Sequence, residues 1–94
     1  MRHRIKNYNA VKGLTIKPGK IMVFGYVFFN TGESNITITP DGSTPIILVP
    51  GQTMDTRNTN TIDVTTYVIS FLSENSLATN SEQGTLNITV FERA

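Results

Sequence analysis

One histidine, a handful of serines, seven carboxylates and no cysteine make up the chain's whole equipment for covalent or acid–base chemistry. His3 stands between Arg2 and Arg4. A general base needs an orienting partner and a pocket, and a basic arm near a terminus supplies neither, so His3 reads as a solvated side chain. Ser34, Ser43, Ser70, Ser73, Ser76 and Ser81 all lie outside any Gly-x-Ser-x-Gly elbow. With no thiol and no second imidazole, nucleophilic catalysis has nothing to activate it. The acids are scattered singly as Glu33, Asp41, Asp55, Asp63, Glu74, Glu82 and Glu92, and Asp41 is accounted for by a Pro40-Asp-Gly-Ser43 turn. The stretch from Asp55 to Asp63 has oxygen ligands at intervals, which raises calcium as a candidate. It lacks the central glycine and the closing glutamate, and Arg57 sits within it, so no metal is expected. The reading is a protein that is not an enzyme and takes no cofactor.

What the chain has in place of chemistry is charge polarity. Arg2, Arg4, Lys6, Lys12, Lys17 and Lys20 precede every acid, so residues 1–32 carry +6 and residues 33–94, with two arginines against seven acids, carry −5. These sum to the formal +1. A basic arm on a mildly acidic body suits docking onto an acidic protein surface or onto another copy. Nucleic acid is not expected as a partner, because the body would repel phosphates and no zinc or Gly/aromatic framework accompanies the arm. Carbohydrate is the alternative ligand, but Trp is absent, and Tyr26 and Tyr67 lie in strands where core packing explains them. The nine-residue run Ile21–Phe29 is too short to span a bilayer and is not followed by a small-residue cleavage site, so neither a membrane nor export is expected.

The elements that must carry these residues are strands. Val, Ile and Thr number 31 of 94 residues, the side chains that pack best on a pleated surface. Ile36 and Ile38 alternate with Asn35, Thr37 and Thr39, and Ile88 and Val90 alternate with Asn87, Thr89 and Phe91, a period of two with one dry face and one wet face. Both alternations run through an Asn-x-Thr sequon, which reads as strand here. Turn chemistry at Pro18-Gly19, Asn30-Thr-Gly32, Pro40-Asp-Gly-Ser43 and Pro50-Gly51 cuts the chain into strands near 3–8, 12–17, 20–30, 34–39, 45–49, 52–56, 62–72 and 84–92. The two Pro-Gly pairs read as similar hairpin corners. The expected fold is all-β, a single antiparallel β-sandwich of the jelly-roll or immunoglobulin-like kind. One domain covers residues 1–94, with 1–12 as a basic N-terminal arm or edge strand.

Segments 20–30 and 62–72 are apolar on both faces, which calls for burial beyond one core. A homo-oligomer is therefore expected, a trimer in the first instance, since no disulfide or zinc staple supports so small a domain. The interface is assigned to Arg2, Arg4, Lys6, Lys12, Met22, Phe24, Tyr26 and Phe28. Exposed polar loops, 55–61 and 73–84, present Asp55, Arg57, Asn58, Asn60, Glu74, Asn75 and Asn80.

The run Val27-Phe-Phe-Asn-Thr-Gly-Glu-Ser-Asn-Ile-Thr-Ile-Thr-Pro40, followed by Ile46-Ile-Leu-Val-Pro-Gly-Gln52, resembles the Asn-Thr-Gly and Pro-Gly-Gln corners of small β-sandwich virion proteins of tailed bacteriophages, the head-decoration and head-fibre subunits. The resemblance covers about a third of the chain. It implies a structural protein located in the virion and made in the host cytoplasm, partnered by capsid or another virion protein and carrying no catalytic residues. The runner-up is a carbohydrate-binding or adhesion module.

Overall fold

A computed structural model of the chain describes residues 3–57, 61–72 and 84–93. The described residues are all-β, with eight strands: β1 (His3–Ala10), β2 (Leu14–Ile16), β3 (Val23–Asn30), β4 (Asn35–Pro40), β5 (Ile46–Leu48), β6 (Thr53–Asp55), β7 (Tyr67–Leu72) and β8 (Leu86–Arg93). They form two four-stranded antiparallel sheets, ordered β1-β8-β3-β6 and β2-β7-β4-β5. The pairings β1·β8, β2·β7, β3·β6 and β4·β5 are those of one long antiparallel ribbon doubled over on itself, and β8·β3 and β7·β4 join the coils of the ribbon. That arrangement is a jelly roll, left open at its edges rather than closed into a barrel.

Among the described strands, only β4 and β5 are consecutive in one sheet, joined by a hairpin where Ser43 N donates to Pro40 O at 3.0 Å. Both Pro-Gly corners instead carry the chain from the second sheet to the first. The expectation of two hairpins is thus corrected, since a tight turn redirects the backbone without fixing which sheet receives it. At the second corner Gln52 N donates to Val49 O at 3.0 Å and Gly51 takes φ +85°, the left-handed position that a type II turn reserves for glycine.

The core is the set of inward faces that period two defines. Phe28, Ile36, Ile38, Leu86 and Ile88 are fully buried, with Ile69, Phe71, Leu48 and Val90 around them. Tyr26, Phe28 and Tyr67 make an aromatic cluster across the two sheets, with ring centroids 5.3 to 5.5 Å apart. Asn30 is the one fully buried polar residue among those described. Its amide donates to Ser34 O at 2.8 Å and to Leu48 O at 2.9 Å, and its Oδ1 accepts from Gly32 N at 3.0 Å, so it ties the end of β3 to β5 in the opposite sheet.

Two apolar strands depart from expectation. Phe24, Tyr26 and Phe28 are 5%, 4% and 0% exposed, so the interface assigned to them is corrected: they are buried within one copy's own sandwich. A bulge at Val23/Gly25 shifts the register against β8, which turns Val23 and Tyr26 inward together and leaves Val27 and Phe29 on the outer face. Gly25 permits this: a Cβ there would meet Arg57 Cα at 2.5 Å, where the chain leaving β6 crosses β3. The strand expected over 62–72 starts only at Tyr67, because residues 61–66 are tied elsewhere. Asp63 N donates to Val23 O at 2.7 Å, and the Asp63 carboxylate accepts from Thr65 N at 2.9 Å and from the Tyr67 hydroxyl at 2.6 Å.

Candidate functional site

Edges are where an antiparallel sandwich meets partners, because an edge strand has a row of unpaired backbone N–H and C=O groups. Three of the four edges are short: β2, β5 and β6 have three residues each. The fourth, β1, has eight, about 27 Å of strand at ~3.4 Å per residue. Among the described residues nothing pairs with its free side.

The inward face of β1 presents Arg4, Lys6, Tyr8 and Ala10, opposite Glu92, Val90, Ile88 and Leu86. Ala10 packs against the core. Towards Arg4 the second sheet no longer covers this face, since β2 ends at Ile16 and the chain turns away through Lys17-Pro-Gly-Lys20. The sheets part there around a cleft of about 300 Å³. Ile16, Val23, Val90, Tyr8 and Tyr26 line it together with Lys6, Lys17 and Lys20.

Glu92 lies in this cleft at 5% exposure, a buried carboxylate that needs compensation. Arg4 Nε at 3.4 Å and Lys6 Nζ at 3.5 Å supply it, both on side chains about half exposed. Lys17 and Lys20 make no ion pair among the described residues. Lys6, Lys17 and Lys20 against Glu92 therefore leave the cleft lining with a net of two positive charges among the described residues, and Arg4, paired with Glu92, adds a third beside it. Burial pushes the Tyr26 hydroxyl up to about 12, with Asp63, Tyr8, Tyr67 and Glu92 adding to the rise, and burial also raises Tyr8. Both tyrosines are neutral hydrogen-bonding groups at physiological pH. Such a site can attract and hold a negatively charged group.

The outer face of the same sheet is polar and interlocked. Asn7 Nδ2 donates to Asn87 Oδ1 at 2.9 Å and to Thr89 Oγ1 at 2.8 Å, while Asn87 Nδ2 donates to Asn7 and Asn9 Oδ1, both at 3.0 Å. This ladder fastens β1 to β8. Exposed Phe29 stands on the same face, and Arg57 lies 5.0 Å over the Phe91 ring. Arg57 also forks onto Asp55, with Nη2–Oδ2 at 2.6 Å, and this pairing holds the Asp55 carboxyl below its usual range and raises Arg57.

Of the residues singled out in the sequence, Arg4 and Lys6 come together on Glu92, with Lys6 lining the cleft, and Lys12 is exposed on the β1–β2 connection. Met22 is 42% exposed just before β3, where Arg93 Nη1 lies 3.5 Å from its sulfur. Asp55 and Arg57 are exposed and satisfy each other. Arg2, Asn58, Asn60, Glu74, Asn75 and Asn80 lie outside the described residues. Sequence reasoning missed Glu92 as a site residue, although the inward alternation Leu86, Ile88, Val90 leads straight to it. It also left Tyr8, Lys17 and Lys20 out of the site. Among the described residues no three His, Asp or Glu side chains converge as metal ligands, and no helix is long and apolar enough to cross a membrane. Comparison with protein families, with curated proteins and with solved structures finds no match to the chain.

Proposed function

We propose that this chain is a non-catalytic virion structural protein, a capsid-decorating or head-fibre subunit that docks on an acidic capsid surface through the cationic edge of β1 and associates with copies of itself. The observation that carries the reading is the eight-residue open edge beside a cleft whose lining holds Lys6, Lys17 and Lys20 against Glu92, a net of two positive charges among the described residues. Long flat edges invite pairing, and the other three edges of this sandwich are too short to offer it. Cations along such an edge repel copies of itself and select a partner of opposite sign. Jelly rolls recur in capsid proteins, and the Asn30-Thr-Gly and Pro50-Gly-Gln corners support the same placement. Self-association draws support from Phe29, Ile47 and Val68, all at least 40% exposed on the outer faces.

The test is immunogold labelling of particles purified from the biological source of the chain. The label is expected on the particle surface, and a Lys17→Glu/Lys20→Glu variant supplied in place of the normal chain is expected to leave most particles bare. Label confined to the soluble fraction would remove the reading. A carbohydrate or adhesion role is the second reading, favoured by one observation: Tyr8, 41% exposed, lines the same cleft as Glu92, a cleft of sugar size. A reproducible glycan-array signal lost in Tyr8→Ala would promote it.

A further inference from the structure

The open edge and the cleft lie on the same side of the sandwich, and together they specify the chemistry of what docks. We infer that β1 accepts an added strand from its partner, an extended segment with acidic side chains at alternate positions that face Arg4 and Lys6 and reach towards Lys17 and Lys20. This rests on the docking role proposed above and names the kind of segment that docks.

A strand added to β1 lies about 4.8 Å away, and its side chains point alternately to the two faces of the sheet. On the inward face its residues stand opposite Arg4, Lys6 and Tyr8, with Cβ atoms roughly 5 Å apart. Two acids spaced i and i+2 meet Arg4 and Lys6 there. Glu92 already shares these cations, but its own charge offsets only one of them, and Lys17 and Lys20 across the cleft add two more. A hydroxyl or small apolar residue suits the next inward position, opposite the Tyr8 ring. On the outward face the added strand runs beside Ile5, Asn7 and Asn9, where Thr and Asn extend the existing side-chain ladder. A second copy of β1 is the wrong occupant by charge, because residues 1–12 hold four Lys or Arg and no acid.

The experiment uses the full chain and fluorescein-labelled heptapeptides, with binding read by anisotropy. One peptide alternates Thr and Glu, a second has the same composition with its glutamates contiguous, a third alternates Thr and Lys, and a fourth spans residues 3–9 of this chain. The alternating acidic peptide is expected to bind about tenfold tighter than the contiguous one and to protect the amides of β1 from hydrogen exchange. Lys17→Glu/Lys20→Glu is expected to weaken that binding about tenfold with an unchanged melting temperature, since both lysines are exposed and unpaired among the described residues. Equal binding of the two acidic peptides would overturn the inference by reducing the interaction to undirected charge attraction. Preference for the peptide of residues 3–9 would overturn it in favour of self-pairing. Absence of any peptide binding overturns it too, while gold label on particles would still uphold the docking role; peptide binding without label sinks that role alone.

Discussion

Replacing Asn30 tests how the two sheets are held together. Its amide withdraws two carbonyls, Ser34 O and Leu48 O, from an environment where the Asn side chain is fully buried, and its Oδ1 satisfies Gly32 N. In Asn30→Ala the bond to Leu48, inside the protein, has no replacement, and an unmet buried group costs about 1–3 kcal/mol. The bonds to Ser34 and Gly32 are only partly buried, so water takes them over at about 0.5–1 kcal/mol each. The sum is about 3 kcal/mol, which in a domain this small lowers the melting temperature by roughly 15 °C. Asn30→Asp sharpens the test, because a carboxylate there faces both carbonyls and has no proton to give. Its folded pKa rises above the unfolded value, so the variant keeps more of its stability below pH 4 and loses it as pH climbs through the folded pKa. Thermal melts of wild type and both variants at pH 4 and pH 7, read by circular dichroism, measure this. A loss under about 1 kcal/mol for Asn30→Ala, or an Asn30→Asp melting difference from wild type that ignores pH, would refute the bridge.

Arg4→Gln/Lys6→Gln is expected to destabilise the fold by about 2–4 kcal/mol because it strands the buried Glu92, and adding Glu92→Gln should recover most of the loss; denaturant titration of the three variants checks it. Tyr26 binds its proton more tightly folded than unfolded, so its contribution is complete below pH 10 and lost as pH rises towards about 12, which an absorbance titration at the tyrosinate band will show as late, unfolding-linked ionisation. Gly25→Ala should cost about 2 kcal/mol or more, since the added methyl collides with the Arg57 backbone at a bulge with φ +145°; a melting temperature equal to wild type would contradict the bulge geometry.

The sandwich was legible because period two survives wherever one face is dry. Ile36 and Ile38 on β4 and Ile88 and Val90 on β8 point inward as their alternation requires, and Thr37 and Asn87 point out. Strand bounds moved where a side chain outcompeted the ladder, as Asp63 does before β7. On β3 the interface expected at Phe24, Tyr26 and Phe28 fails because those side chains are buried within one copy, and the bulge at Gly25, which brings Val23 onto the inward face with Tyr26, depends on the neighbour crossing it rather than on the strand's own sequence. Asn30-Thr-Gly32 was visible as a corner, but the inter-sheet bridge made by its first residue was not, since Leu48 is distant in sequence. The cleft was the least legible feature. Lys6, Lys17 and Lys20 were visible as a charge run, yet only the passage of the chain from β1 to the second sheet and back puts them around Glu92.

Hydrogen–deuterium exchange on the assembled particle, compared with the free chain, reads the central claim at the residues that make it. Residues 3–10 are expected to gain strong protection on assembly, together with the 17–21 segment at the cleft, while the β4–β5 hairpin at 40–46 exchanges as it does in solution. Unchanged exchange at 3–10, with protection arising at the hairpin or elsewhere, would show that the chain docks by another surface and that β1 is an idle edge.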